Sequence, residues 1–420
     1  MPRRAPLRLP ALLLLLTLCA SLAVTLATAP AALAAGWKDG PAFATGAESR
    51  LLALGTAADG TTTAVWSEAN DPEDPIDFRL RTQQARPDGS LLPVEVLAEK
   101  AAQPVAANGP DGSVAVVWVQ EDATAPDGAR VHRAQATPGG PVQRASTTAL
   151  VGFMSSNTSH RAAMDGAGTV TLAAVRDGDD GLVIETVRSA ADGTFGSVNT
   201  VGTLTSDGEA DLGFGPVVAA SPDGTSWTAW RDEDKGGIAV ARRTGSGPMA
   251  TGTVPGSAGD SAFLHLAAGA GGAAVTWTDP AGDEGDEPTG ITTVRGVRLP
   301  PAGALTGAPF SVGPGPLGAE FVGGGHDVAL GPDGTVTVAA MMRESQTRSV
   351  IQLSRIAPAA GSGPLTPISS GPGIAVLPTL SAAPDGAVLA AWLELSPPGT
   401  IEIGRGGPRR TGRSARRPPR

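Results

Sequence analysis

Any chemistry in this chain has to come from a short stock of side chains. It has four histidines, one cysteine and no tyrosine. Three of the histidines, His160, His265 and His326, stand near the start of short strand-like runs. Neutral imidazoles placed there could bind a divalent cation, with Asp327 beside His326 as a carboxylate ligand. Their spacing matches no established metal motif, and polar lining of a channel is the reading favoured over a metal site. The fourth, His132, is expected at the surface. A second set lies two places after a tryptophan or the residue standing for it: Glu68, Gln120, Asp177, Asp232, Asp279, Glu344 and Glu394. Six are carboxylates, and together they would form an acidic ring able to hold a cation or meet a basic partner. The alternative is that acids at strand ends are solvated and bond loop amides.

Other chemistries find no residues. Cys19 falls in the leader, so the mature chain is expected to have neither disulfide nor thiolate nucleophile. Phosphate loops, serine-centred elbows and paired metalloprotease histidines are missing from the sequence. Asp177-Gly178-Asp179-Asp180 and Asp283-Glu284-Gly285-Asp286-Glu287 lack calcium-loop spacing and read as solvated loops. Trp66, Trp118, Trp230, Trp277 and Trp392 hold repeat positions and are expected in the core. Trp37 and Trp227 remain as platforms for a sugar.

Residues 1–35 carry the marks of an export signal: Arg3, Arg4 and Arg8, a leucine-rich run, and Ala32-Leu33-Ala34 as a cleavage site. No later run is long enough to span a membrane, so the mature chain is expected to be secreted. Three arginines lie in the leader and seven beyond Gly404. The body between them keeps 21 of the 31 basic residues against 41 acidic ones, about twenty negative charges net. That balance argues against nucleic acid or an anionic membrane as partner. Residues 404–420, rich in Arg, Pro and Gly, are expected to be a disordered tail.

The elements that must position these side chains come from a seven-fold repeat over 36–403. Each copy reads as an apolar run, an Asp-Gly-type turn and a second apolar run usually ending in Trp, as in Pro110-Asp111-Gly112 to Trp118. Turn glycines fall at 60, 112, 168, 224, 272, 334 and 386, with Ala167-Gly168 and Gly271-Gly272 as degraded copies and Met341-Met342 near one Trp place. Asp-Gly between apolar runs signals a hairpin, because glycine accepts positive φ. Two more polar runs follow in each copy, giving four strands per repeat and no helical segment. Runs apolar on both faces need covered sheets, which points to an all-β, seven-bladed β-propeller of four-stranded antiparallel blades. The seventh copy has a third strand at Thr400–Ile403 but no fourth. The segment 37–45 is expected to complete that last blade and remove its open edge.

These features together resemble the repeat-built secreted β-propellers of bacteria. The resemblance covers nearly the whole mature chain and implies fold far more than function. Asp-box sialidases are distant, since their nucleophile is a tyrosine and this chain has none. The function expected is non-catalytic: a monomer that binds an extracellular protein or surface polymer through one face. The alternatives are a hydrolase or lyase acting on extracellular glycan, with a metal near His265 and His326, and a lectin.

Overall fold

The computed structural model describes residues 37–39, 49–69, 78–126, 128–148, 150–155, 160–178, 181–190, 192–204, 215–232, 236–258, 262–279, 293–312, 320–345, 348–369, 373–383, 385–396 and 400–408. The chain divides into two compact units, Met1–Lys38 with Pro408–Arg420, and Asp39–Gly407. Only the second is described at length. Residues 409–420 of the expected tail, the expected export signal at 1–35 and residues 40–45 of the segment expected to complete the last blade lie outside the described residues.

All seven turn glycines have positive φ, from +79° at Gly168 to +117° at Gly272. In the first repeat the Gly60 N–H donates to the Ala57 carbonyl and the Ala57 N–H to the Thr61 carbonyl, both at 2.9 Å. This is a turn closed by a glycine bulge. The aspartate before the glycine locks it, because Asp59 Oδ1 accepts the Thr61 N–H at 2.7 Å. Asp111, Asp223, Asp333 and Asp385 do the same two residues on. The third repeat has no aspartate there, and Asp165 supplies the acceptor instead. The fifth repeat makes a tighter turn, with Gly269 paired directly to Gly272.

Each turn joins a first strand to a second. The first strands are Ser49–Thr56, the end of Glu95–Asn108, Arg161–Met164, Val217–Ala220, Ala262–Gly269, Glu320–Leu330 and Ile374–Ala382. The second strands, such as Thr62–Ala69 and Val114–Glu121, are buried over six consecutive residues. That burial on both faces explains why they are apolar throughout instead of alternating. Trp66, Trp118, Trp230, Trp277 and Trp392 are all buried, as the sequence implies. Fourth strands such as Gln143–Thr147 and Met249–Thr253 are partly or fully exposed along their length.

In the third and fourth repeats the result is a four-stranded sheet of sequential antiparallel strands, while short parallel pairings, Ala308–Val312 with Ser362–Gly363 and Arg348–Ile356 with Ile374–Ala382, join later repeats. In the fourth, the order is Val217–Ala220, Thr225–Asp232, Gly237–Thr244, Met249–Thr253. The first two repeats share one sheet because Glu95–Asn108 serves both. Its start pairs with Phe78–Ala85 and its end with Val114–Glu121. In the seventh repeat the third strand runs over Thr400–Pro408, five residues past the end expected at Ile403, and Trp392 is paired with Gly404. Trp37–Asp39, the described part of the segment expected to complete the last blade, is a strand. One expectation fails outright: Val151–Ser155 is a short helix. Leu150, Val151, Phe153 and Met154 fill the core beside the second and third repeats, which a loop of polar residues could not do. Among the described residues, no helix is long and apolar enough to cross a membrane.

Neighbouring repeats are tied by first strands and by side chains. Each first strand touches the next along the chain, and Ile374–Ala382 touches Ser49–Thr56. Toward the rim, one position on the third strand reaches into the following repeat. Gln84 donates to the Thr137 carbonyl and accepts the Gly139 N–H. Arg188 donates to Gly224 and Gly245, Arg242 to Pro300 and Gly303, and Arg298 to Ile356, Ala357 and Ala360, in every case to carbonyls. The planar guanidinium suits this role, since its fork satisfies several acceptors at once.

Candidate functional site

The acidic ring does not assemble as the sequence suggests. Pairing with the third strands puts Ala174 and Ala340 at the places that Trp66 and Trp118 hold elsewhere. Two residues on, the ring position is therefore Arg176 in the third repeat and Met342 in the sixth. Asp177 is one residue off, on the opposite side of its strand, and Glu344 is two residues further along. A slip of one residue turns a strand's side chains to the other face. Arg176 is bound by Glu185 through both Nε and Nη2, and Glu344 pairs with Arg348 at 2.8 Å.

The true ring positions have internal partners. The Trp66 indole N–H donates to Glu68 Oε1 at 2.9 Å, and Arg81 lies 2.9 Å from the other oxygen. Trp118 donates to Gln120 at 3.2 Å and Trp392 to Glu394 at 3.5 Å. Residues i and i+2 share a face of a strand, so the acid two places on is positioned to satisfy the tryptophan. Asp232 is buried; the side chains of Asp177 and Asp279 lie outside the described residues. At Glu68, Gln120 and Glu394 the position settles a buried indole, while the Trp230 indole N–H, two residues before Asp232, has no hydrogen-bond partner.

The histidines part company in the same way. His160 is buried, with Nε2 3.1 Å from the Phe153 carbonyl and its ring edge-on to Phe153. It secures the short helix and is engaged there. Burial first, and Arg161 second among the lowering causes, hold its imidazole below the ordinary range. His132 is not a surface residue. It is half-buried and stacks on Trp118, its cross-strand partner, with ring centroids 5.4 Å apart.

His265 is in contact with both Asp327 and His326. His265 and Asp327 each stand seven residues before their turn glycine, Gly272 and Gly334. Equivalent positions on touching first strands meet, and His265 Nδ1 lies 3.3 Å from Asp327 Oδ1. The carboxylate is held by two backbone donors as well, Val328 N–H at 2.8 Å and Leu380 N–H of the seventh repeat at 2.7 Å. His326 is 2% exposed. Its ring lies 4.3 Å from that of His265, tilted by 54°, and its Nε2 is 3.2 Å from Thr276 Oγ1. Its Nδ1 has no hydrogen-bond partner. A buried polar atom left so costs about 1–3 kcal/mol. Burial, with His265 adding to it, holds His326 well below the ordinary imidazole range, so the ring is neutral at pH 7. Among the described residues no three metal-ligating groups converge on one point, which corrects the expectation of a four-residue metal centre.

A further group was not anticipated. Gln103, Phe263 and Leu377 are the non-glycine residues with positive φ among those described, at +50° to +52°. Each stands nine residues before its turn glycine. All three sit in bulges where the first strand slips against the second, and Leu377 is 51% exposed. Counting back from the glycines would have shown the shared position, though not the strain.

No protein-family model matches the sequence, and no curated protein matches it. Among solved structures the chain is similar to the polysaccharide lyase Uly1, with a TM-score of 0.51 and 9% identity over 90% of this chain and 95% of that one. It is also similar to the β-propeller domain of the trilobed protease from Pyrococcus furiosus, at 0.48 and 8% identity over 86% and 94%. The GH93 α-L-arabinofuranosidase of Fusarium graminearum gives 0.44 and 12% identity over 86% and 92%. The fold is that of a β-propeller. Similarity this remote carries the fold alone.

The lectin expectation loses one of its two platforms. Trp227 is fully buried, with the Arg242 guanidinium 5.5 Å from its ring centre. The side chain of Trp37 lies outside the described residues.

Proposed function

We propose that the protein is a secreted, monomeric, seven-bladed β-propeller that binds an extracellular protein or surface polymer through the face at which its first strands begin. In this reading the N-terminal strand closes the ring by completing the seventh blade. The unbroken succession of touching first strands, returning from the seventh repeat to the first, supports closure.

The observation that carries the binding reading is the row of left-handed residues on that face. A non-glycine residue in this conformation costs on the order of 1–3 kcal/mol and persists where its surroundings over-determine it, often at ligand clamps. Here the same strain recurs at Gln103, Phe263 and Leu377 and leaves a large apolar side chain, Leu377, toward solvent. Leu377→Gly tests it. Relief of the strain is expected to stabilise the fold by about 1 kcal/mol, while binding to envelope polymers or extracellular proteins, followed by biolayer interferometry, falls. Binding that survives both Leu377→Gly and His265→Gln would place the ligand elsewhere.

The second reading is an enzyme acting on extracellular glycan. His265 set against Asp327 favours it, since a carboxylate orienting an imidazole prepares a general base, and the fold neighbour Uly1 is a polysaccharide lyase. Incubation with polysaccharides, followed by size-exclusion analysis for shortened chains, separates the two readings. Turnover abolished by His265→Gln would favour the enzyme.

A further inference from the structure

The geometry points to a transition-metal site formed by His265 and His326, with Asp327 as the residue that positions His265. Each imidazole has one nitrogen secured by the protein and the other left over. Asp327 faces Nδ1 of His265, which favours the tautomer carrying hydrogen there and leaves the Nε2 lone pair directed away. Thr276 faces Nε2 of His326, and its Nδ1 is buried without a partner. The rings are 4.3 Å apart, close enough to bring two nitrogens to one ion at bond lengths of ~2.1 Å.

Asp327 is not a ligand in this arrangement. Its oxygens already accept two backbone N–H groups and face His265. A carboxylate behind a ligating histidine is the usual outer support of such sites, fixing ring orientation and raising basicity. Two imidazoles without carboxylate or thiolate select ions such as Cu²⁺, Ni²⁺ or Zn²⁺ over Ca²⁺ and Mg²⁺. With two protein ligands, the remaining positions fall to water or to oxygen atoms of a bound molecule. The inference is independent of which polymer or protein the face takes.

The test uses the mature chain stripped with chelator and titrated with Cu²⁺ and Ni²⁺ separately, with stoichiometry by elemental analysis and nitrogen coordination by electron paramagnetic resonance of the copper form. One equivalent is expected, with a spectrum showing two imidazole nitrogens. His265→Gln, at a half-exposed position, should lose at least 100-fold in affinity, and Asp327→Asn 10–100-fold, while His132→Gln stays at the parent value. His326→Gln should also abolish binding; should it fail to fold, His265→Gln still decides. Absence of a stoichiometric ion, or full affinity in His265→Gln, would overturn the assignment.

Discussion

His265 and Asp327 occupy the same position in consecutive repeats, and their side chains meet at 3.3 Å. The contact is a product of the repeat itself. Seven residues before the turn glycine, the first strands carry the series Ala53, Val105, Arg161, Val217, His265, Asp327, Thr379. Only in the fifth and sixth repeats does it place a histidine beside a carboxylate.

The pairing of Trp66 with Glu68 predicts a graded loss. Glu68→Ala removes the acceptor from a fully buried indole and the partner of Arg81. It should cost about 1–3 kcal/mol in urea denaturation. Glu68→Gln keeps an acceptor, as Gln120 does naturally, and should recover most of that.

Two turn glycines should respond differently to alanine. A Cβ added at Gly60 would meet nothing closer than Pro87 at 3.6 Å, so the cost of Gly60→Ala is chiefly that of its backbone conformation, about 1–2 kcal/mol. At Gly112 a Cβ would run into the backbone of Thr56 and Ala57 in the preceding repeat. Gly112→Ala should therefore cost clearly more, and thermal melts of the two variants compare them directly.

Arg298 spans the fifth and sixth repeats by donating to three carbonyls. Arg298→Lys is expected to destabilise nearly as much as Arg298→Ala, because a single ammonium cannot reproduce the fork. A lysine variant with parent-like stability would show that the charge alone holds the joint.

Acid should weaken the fold through its buried histidines. His160 and His326 have pKa values depressed by burial. Above the ordinary imidazole pKa of about 6.5 their neutral forms contribute fully. As pH falls through that value toward the folded-state pKa, the unfolded chain takes up protons that the folded one refuses, and stability drops. Urea midpoints at about pH 7.5 and 5.5 should show the loss, and His160→Gln, which keeps a donor for the Phe153 carbonyl, should reduce it.

Much of this fold is legible in the sequence, because glycine with positive φ leaves a mark that survives degradation: Gly168 and Gly272 hold the turn although their aspartates are gone. The tryptophans are a weaker mark. Where the third and sixth repeats replace them by Ala174 and Ala340, an alignment on apolar bulk slips by one residue to Val175 and by two to Met342, and with it Asp177 and Glu344 enter a ring to which they do not belong. The convergence of His265 with Asp327 follows from counting back from the glycines. The partners across repeats, Thr276 for His326 or the turn carbonyls for Arg298, depend on how neighbouring sheets pack and have no local signature.

Closure of the seven repeats into a ring is the claim on which the proposed face depends, and electron–electron distance measurements between spin labels test it most directly. Cysteines replacing Asp59, Asp111 and Asp385 put labels at equivalent exposed turns of the first, second and seventh repeats. The ring predicts that the distance between the first and seventh labels equals that between the first and second. A first-to-seventh distance several times longer, in a folded protein, would contradict it.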